Sequence, residues 1–239
     1  MSSPSTDPSP RNSYSMALMV PINNTTMERE LLAWLPEVSC CTTLKIPRSK
    51  GLLTADTIPA YQQGAYEIAR QLEGSPLDVL AYGCTAASFL AGPASDRAMQ
   101  QRLCDSLQLP VVTTAQSMVH ELQNLGLTRI ALVTPYHDQV NDRLKRYLAD
   151  EGIEVLAFDS LRAPDVDALG RITSSEVAVM ARQVMSDECQ AMFIACSQLP
   201  TFDILEKLSL EFQRPVLSSI QATAAQARAT IINPPGRQA

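Results

Sequence analysis

Two cysteines occupy equivalent places in two copies of one pattern. Leu80-Ala81-Tyr82-Gly83-Cys84-Thr85 is an apolar run ending in Cys-Thr, and Pro110-Val111-Val112-Thr113-Thr114-Ala115-Gln116-Ser117 follows it. Met192-Phe193-Ile194-Ala195-Cys196-Ser197 repeats the run, and Pro215-Val216-Leu217-Ser218-Ser219-Ile220-Gln221-Ala222 repeats the sequel. Each half therefore carries one thiol at the C-terminal end of a strand, next to a hydroxyl residue. If the halves face each other, a small substrate between them meets a thiol on each side, which suits two-sided proton transfer or covalent addition. A helix N-terminus after each cysteine would lower the thiol pKa from ~8.5 and also hold a carboxylate.

The ordinary role of a free cysteine is that of a small buried hydrophobe. Cys40, Cys41, Cys104 and Cys189 are read that way, and Cys84 and Cys196 are not, because packing alone does not explain duplicate placement at two strand ends. Asn23 and Asn24, in Val20-Pro21-Ile22-Asn23-Asn24-Thr25-Thr26, fit a helix cap, which is compatible with ligand binding. Tyr136, in Thr134-Pro135-Tyr136-His137-Asp138, can pack as an aromatic or offer its hydroxyl to a carboxylate. His137 and Asp138 are adjacent and so do not face each other; His137 is read as solvent-exposed and His120, in an amphipathic helix, as structural. With two histidines and nine glycines, neither a histidine metal site nor a Gly-rich phosphate loop is expected, and no cofactor is assigned.

The elements that must position these residues repeat as well. Ala17-Leu18-Met19-Val20-Pro21 leads to Glu28-Arg29 as Ala131-Leu132-Val133-Thr134-Pro135 leads to Asp142-Arg143. So long an offset indicates duplicated domains rather than a solenoid, whose repeats run roughly 20–50 residues. Near-continuous apolar runs predict strands near 17–21, 40–46, 79–83 and 111–114, then near 129–134, 154–158, 191–195 and 216–218. Helices are predicted near 25–35, 59–72, 95–108, 115–125, 138–150, 174–186, 200–212 and 219–229. Buried strands alternating with helices imply an α/β fold of two pseudo-symmetric four-stranded parallel-sheet lobes with the active site between them. The expected division is a Ser/Pro-rich disordered tail over 1–15, an N-terminal lobe over 16–114, a C-terminal lobe over 115–218, and a final helix and tail over 219–239, the helix packing back on the first lobe. Thr25-Thr26-Met27-Glu28 has capping-box spacing with Asn24 or Thr25 as N-cap, and Gly126 and Gly152 stand where C-cap glycines belong. The aperiodic stretch 44–58, with Lys45, Arg48 and Lys50, is either a binding loop or a solvated surface loop.

Composition excludes several classes. A chain of 239 residues, 46% hydrophobic, can bury a full core, and a net charge of −6 gives no general attraction to nucleic acid or an anionic membrane. No run of ~18 apolar residues is present to span a bilayer. The six cysteines form no CxxC, and the first fifteen residues have no apolar h-region, so the expectation is a cytoplasmic protein with reduced thiols.

At these residues the chain resembles the aspartate/glutamate racemase superfamily, and within it the maleate cis-trans isomerases. Val20-Pro21-x-x-Asn24-Thr25-Thr26-Met27-Glu28 is similar to their N-terminal signature, Tyr136 to the tyrosine after their fifth strand, and Cys84 and Cys196 to their two active-site cysteines. Cys196-x-Gln198-x-Pro200 resembles one subgroup's second-cysteine loop, and the similarity runs from roughly 16 to 228. The resemblance implies a cofactor-free enzyme, a homo-oligomer, whose partner is a small dicarboxylate-like substrate. Cys84 would add to the alkene, the saturated bond would rotate, and elimination would follow with Cys196 handling the proton. Asn24, Tyr136, Thr85, Ser197 and Gln198 would bind substrate. Many maleate isomerases carry Asp-Asn where this chain reads Asp165-Val166, so Val166 stands in for an amide and implies a less polar ligand.

Three other readings compete. Arylmalonate decarboxylases share the pattern from Tyr136 to Leu148 but keep only the second cysteine. Two-cysteine racemases of amino acids or hydantoins use both thiols. From a different class, a solute-binding protein would also have two α/β lobes, but it would carry an export signal and would not need paired thiols.

Overall fold

The computed structural model describes residues 13–48 and 53–233. The N-terminal half runs β1 (Tyr14–Pro21), α1 (Met27–Trp34), β2 (Val38–Ile46), α2 (Ile58–Ala69), β3 (Val79–Tyr82), α3 (Thr85–Phe89), α4 (Pro93–Leu107), β4 (Val111–Thr113) and α5 (Thr114–Asn124). The C-terminal half runs β5 (Arg129–Thr134), α6 (Asp138–Asp150), β6 (Glu154–Ser160), α7 (Val166–Arg171), α8 (Ser174–Val184), β7 (Ala191–Ile194), α9 (Leu205–Phe212), β8 (Val216–Ser218) and α10 (Ser219–Ile232). Two four-stranded sheets form, in the orders β2-β1-β3-β4 and β6-β5-β7-β8, with every pair parallel. The registers repeat as the sequence does: Met19 sits beside Tyr82 as Val133 sits beside Ile194.

The strand period of two decides which side of the first sheet each residue covers. Met16, Leu18 and Val20 of β1, with Val79 and Ala81 of β3, join Met27 and Leu31 of α1 and Ile220, Ala224 and Ala227 of α10 in one apolar cluster. Ala17 and Met19, with Leu80 and Tyr82, face the other way into the main core with α2 to α5. The final helix thus covers the first sheet. In the second sheet Ile130 to Val133 are fully buried, as a parallel strand covered on both faces requires.

Several local expectations are corrected. β1 begins at Tyr14, inside the stretch read as tail; residues 1–12 lie outside the described residues. β2 is an edge strand with much of one face in solvent, so Cys40 is exposed and not a packed hydrophobe. Of the two candidate caps for α1 it is Asn24 whose side chain acts, Oδ1 accepting the backbone N–H of Thr26 (3.1 Å) and Met27 (3.0 Å). α9 begins at Leu205, later than the pattern suggests, after a turn whose Thr201 and Phe202 N–H groups bind the Glu30 carboxylate of the other lobe. The helix start expected after Cys84 is α3, though it is only five residues long, and the short helix α7 was not predicted because it is too brief to carry a periodicity. Gly126 and Gly152 take positive φ, 67° and 78°, as C-cap positions do.

Candidate active site

β3 ends at Tyr82, and Gly83 turns the chain. A Cβ at Gly83 would lie 2.5 Å from Met27 Sδ and 2.8 Å from Val20 Cγ1, so only glycine lets this turn seat against α1 and β1. Cys84 then caps α3 with extended backbone. Its counterpart, Cys196, follows β7 but opens onto a turn at 197–198 instead of a helix, which alters the helix-start expectation for the second half. The backbone N–H of Gln198 points at Cys196 Sγ, 3.4 Å away, so the turn still offers the sulfur a donor. Both thiols are buried, and both line one pocket between the lobes.

Asn24, Thr85, Tyr136, Ser197 and Gln198 line the same pocket. Much of their hydrogen-bonding capacity is directed across the lobe boundary. Asn24 Nδ2 donates to Ser197 O (3.1 Å) and Oγ (3.3 Å), while Gln198 takes the backbone N–H of Thr25 on Oε1 and donates from Nε2 to Thr25 Oγ1, each at 3.0 Å. Ser197 donates through its hydroxyl to Gly83 O (2.8 Å) and through its backbone N–H to Thr85 Oγ1 (3.2 Å). Glu30, on α1, accepts from Thr201 N, Thr201 Oγ1 and Phe202 N at 3.0–3.1 Å. These bonds hold the loop after Cys196 against the first lobe.

Tyr136 is different. Its carbonyl accepts from Asn141 Nδ2 (2.8 Å) and Ser160 Oγ (2.5 Å), and its ring meets Phe89 of α3 edge-on with centroids 5.7 Å apart, so its position is set from both lobes. Its hydroxyl is buried without a hydrogen-bond partner in normal range, with Cys196, Cys84 and Thr85 as polar neighbours. A buried, unmatched O–H at a pocket wall is a donor available to a ligand. Asn23, also in the lining, has a buried Oδ1 in the same condition.

The electrostatics separate the thiols. Burial pushes Cys84 up, opposed by the Ala87 backbone N–H, the Tyr61 hydroxyl and the Arg48 cation. Burial pushes Cys196 up to about 11, against the N–H groups of Gln198 and Leu199 and the Tyr136 hydroxyl, while Cys84 itself adds to the rise. Burial raises both tyrosines, Tyr61 and Tyr136, so they remain protonated donors.

Sequence reasoning missed Tyr61, whose place in α2 looks like any core position of an amphipathic helix. It named Arg48 only within an aperiodic stretch; Arg48 and Leu53 prove to line the pocket, whereas residues 49–52 between them, Lys50 included, lie outside the described residues. Lys45 instead donates to Asn24 O at 2.6 Å. Val166 is half-buried on the first turn of α7 and is not in the lining; Leu169 of the same helix is, with Ala163 and Val140. The less polar wall therefore exists, built by different residues. His137 is exposed at the rim, and His120 is exposed and paired with Asn124 at 2.9 Å. Among the described residues no group of three or more His, Cys, Asp or Glu side chains could hold a metal ion, and no helix is long and apolar enough to cross a membrane.

A sequence model of the arylmalonate decarboxylase family matches residues 53–238. The maleate isomerase of Geobacillus stearothermophilus is 27% identical over 224 residues, 88% of each chain. The arylmalonate decarboxylase of Bordetella bronchiseptica is 28% identical over 175 residues, 72% of each chain. Among solved structures, a cysteine-to-serine mutant of the Nocardia farcinica maleate cis-trans isomerase with a covalently bound succinylcysteine intermediate superposes with a TM-score of 0.82. It is 25% identical to this chain, and the match covers 92% of this chain and 93% of that one.

Proposed function

The chain belongs to the arylmalonate decarboxylase family, and on that premise we propose that it is a cis-trans isomerase of maleate or a maleate-like cis-butenedioate, with Cys84 as nucleophile and Cys196 as proton carrier. The observation that carries this reading is the meeting of two unequal thiols in one pocket, Cys84 beside a cation and Cys196 held up to about 11. Burial raises both thiols, and the roles are assigned by their neighbours: the Arg48 cation opposes the rise at Cys84, and the Cys84 sulfur adds to the rise at Cys196. Relatives named maleate isomerases, and one bearing a succinylcysteine, support the same chemistry.

The Cys84 thiolate donates its electron pair to one alkene carbon, forming C–S. The π pair moves to the neighbouring carbon and into its carboxyl group as an enediolate, against the Tyr136 hydroxyl. The Cys196 S–H protonates that carbon, giving a saturated thioether. With the double bond gone the C–C bond rotates; the Cys196 thiolate then removes the proton, the π bond re-forms trans, and the C–S bond breaks to return the Cys84 thiolate. Atoms and electrons balance with no other reactant.

The test is turnover of maleate, maleamate, citraconate, an arylmalonate and amino acids, followed by absorbance and NMR, together with the intact mass of a Cys196→Ser variant after exposure to maleate. Fumarate-type products and a substrate-sized mass gain at Cys84 are expected. A second reading, decarboxylation of an arylmalonate, is favoured by the apolar wall of Leu53, Val140, Ala163 and Leu169. Carbon dioxide release from the arylmalonate, with cis-butenedioates untouched and Cys84 dispensable, would establish it and sink the isomerase.

A further inference from the structure

We propose that Asp96 is a positioning residue for the reaction: reaching α3 at Ser88 and α6 at Tyr147, it fixes the two helices that carry Cys84 and Tyr136 relative to each other. The consequence for turnover rests on the isomerase reading; the hold on Cys84 does not.

Asp96 lies in the first turn of α4, fully buried. Its Oδ2 accepts from Thr113 Oγ1 at 2.9 Å and from Gln116 Nε2 and Tyr147 Oη at 3.2 Å. Among the described residues its Oδ1 has no hydrogen-bond partner in normal range. The next side chain in reach is Ser88, whose hydroxyl is also buried and unmatched and acts to lower the Asp96 pKa. Two unmatched buried groups side by side, one of them a donor, are complementary. Ser88 in turn belongs to the helix that follows the nucleophile. Cys84 caps α3, the Ser88 N–H donates to Cys84 O at 3.1 Å, and the Ala87 N–H opposes the rise of the Cys84 thiol. Phe89, next along, meets the Tyr136 ring edge-on at 5.7 Å. Tyr147 belongs to α6, where Asn141 holds the Tyr136 carbonyl at 2.8 Å. One carboxylate therefore touches both the helix after the thiol and the helix after the tyrosine.

The second half has a counterpart. Ser218, which matches Thr113 in the repeat, accepts from Thr201 Oγ1 at 3.0 Å, and the Thr201–Phe202 turn after Cys196 is bound to Glu30. Stability does not account for Asp96. The titratable and charged groups around it are Tyr147 of α6, Tyr82 of β3 and, next along α4, Arg97, which is exposed and bound to Glu151 at 2.7 Å. Burial lifts Asp96 to about 6, so near neutral pH its ionised form costs stability relative to a neutral side chain. What a buried polar cluster supplies instead is one defined arrangement of the elements it joins.

Ser88→Ala, Asp96→Asn, Asp96→Leu and Tyr147→Phe test this by urea midpoint, by kcat and KM on maleate, and by iodoacetamide alkylation of Cys84 and Cys196, mapped by peptide mass because Cys40 is also exposed. Ser88→Ala deletes one unmatched oxygen, so its urea midpoint should stay near that of wild type. Its Cys84 should nevertheless alkylate about threefold more slowly or worse near neutral pH, with Cys196 unchanged, as displacement of a backbone donor from a thiolate predicts. Asp96→Leu should show the same bias more strongly; if it does not fold, Ser88→Ala carries the test. Asp96→Asn should rescue both readouts, its oxygen taking the Oδ2 place and its amide N–H donating to Ser88 Oγ. Tyr147→Phe should lower kcat with little change in KM and leave Cys84 alkylation alone. Unchanged Cys84 alkylation in Ser88→Ala, or equal slowing of both thiols alongside a lowered urea midpoint, overturns the positioning role. Failure of Asp96→Asn to rescue overturns the Ser88 link, and an unchanged kcat in Tyr147→Phe overturns the reach to Tyr136. Absence of any maleate turnover in wild type, with the alkylation bias intact, overturns the isomerase reading and leaves the hold on Cys84 standing.

Discussion

In the first half of the pocket, Cys84 meets the Ala87 backbone N–H, the Tyr61 hydroxyl and the field of Arg48; in the second half, Cys196 meets the N–H groups of Gln198 and Leu199 and the Tyr136 hydroxyl. The strands that deliver them are near copies in order and register. Duplication accounts for the two thiols, and the loops around them account for their inequality. A helix start follows the first cysteine and a turn the second. Equal thiols would suit a racemase, which must take and return one proton from either side. Unequal ones suit an addition that needs a nucleophile on one side and an acid on the other.

The largest expected effect tests that inequality directly. Cys84→Ala should abolish adduct formation and lower turnover by about 10⁴-fold or more, each tenfold being about 1.4 kcal/mol of lost transition-state stabilisation. Cys196→Ser should still form the adduct by intact mass while losing steady-state turnover. If both variants instead retain exchange of a substrate Cα proton with solvent from one face, the halves are functionally equivalent and the comparison breaks.

The two tyrosines sharpen the contrast. Tyr136→Phe removes the unmatched donor and should lower kcat by about 10²–10³-fold, the range for loss of one oxyanion donor. Tyr61→Phe removes a donor that favours the Cys84 thiolate, so it should mainly raise the midpoint of Cys84 alkylation against pH. Equal kcat losses without any midpoint shift in Tyr61→Phe would contradict the division of roles.

Two buried carboxylates also join the halves, and they extend the comparison to stability. Asp96 of α4 accepts from Thr113 Oγ1 (2.9 Å), Gln116 Nε2 (3.2 Å) and Tyr147 Oη of α6 (3.2 Å), yet burial holds its pKa up at about 6 from an ordinary 3.8. A raised folded-state pKa stabilises fully below the unfolded value, and that contribution is lost as pH rises through about 6. Asp96→Asn removes the loss. Its stability relative to wild type should therefore improve by on the order of 3 kcal/mol between about pH 4 and pH 7, measured by urea unfolding. A constant difference across that window would show that Asp96 does not titrate there.

Glu30→Gln is the smallest effect. Its amide oxygen can take the Oε2 place, which receives Thr201 N, Thr201 Oγ1 and Phe202 N, so what is lost is the charge on the acceptor, at about 1 kcal/mol near neutral pH. The same variant should alter the Cys196-dependent step more than Cys84 alkylation, because the turn it loosens belongs to the Cys196 loop. Denaturation together with the two thiol readouts would reveal a purely structural role if both thiols respond alike.

How much of this was legible follows from the range of each signal. Strand and helix patterns repeat within a few residues, so the eight strands, their parallel pairing in two sheets and the duplicate cysteines could be read from the chain. Cys84 and Cys196 stood out because the repeat itself marked them. The aperiodic stretch around Arg48 was visible as an anomaly but had no direction. Tyr61 was invisible, since its spacing in α2 is that of any core residue and does not record that its hydroxyl reaches Cys84.

The sequence by itself thus determined the α/β duplication and the candidate thiols, because hydrophobic periodicity and repetition are properties of neighbouring positions. The tertiary structure decided what surrounds those thiols. Asn24 bonds to Ser197 and Thr25 to Gln198 across 173 positions of chain, so whether these side chains face a ligand or each other depends on how the lobes meet. The same meeting positions Leu169 rather than Val166 at the pocket, while the order of the first sheet brings Arg48, after β2, within reach of Cys84, after β3, and of Tyr61. Hydrogen bonds and fields act through space over a few ångströms, and no local pattern records which distant residues the fold brings within that reach.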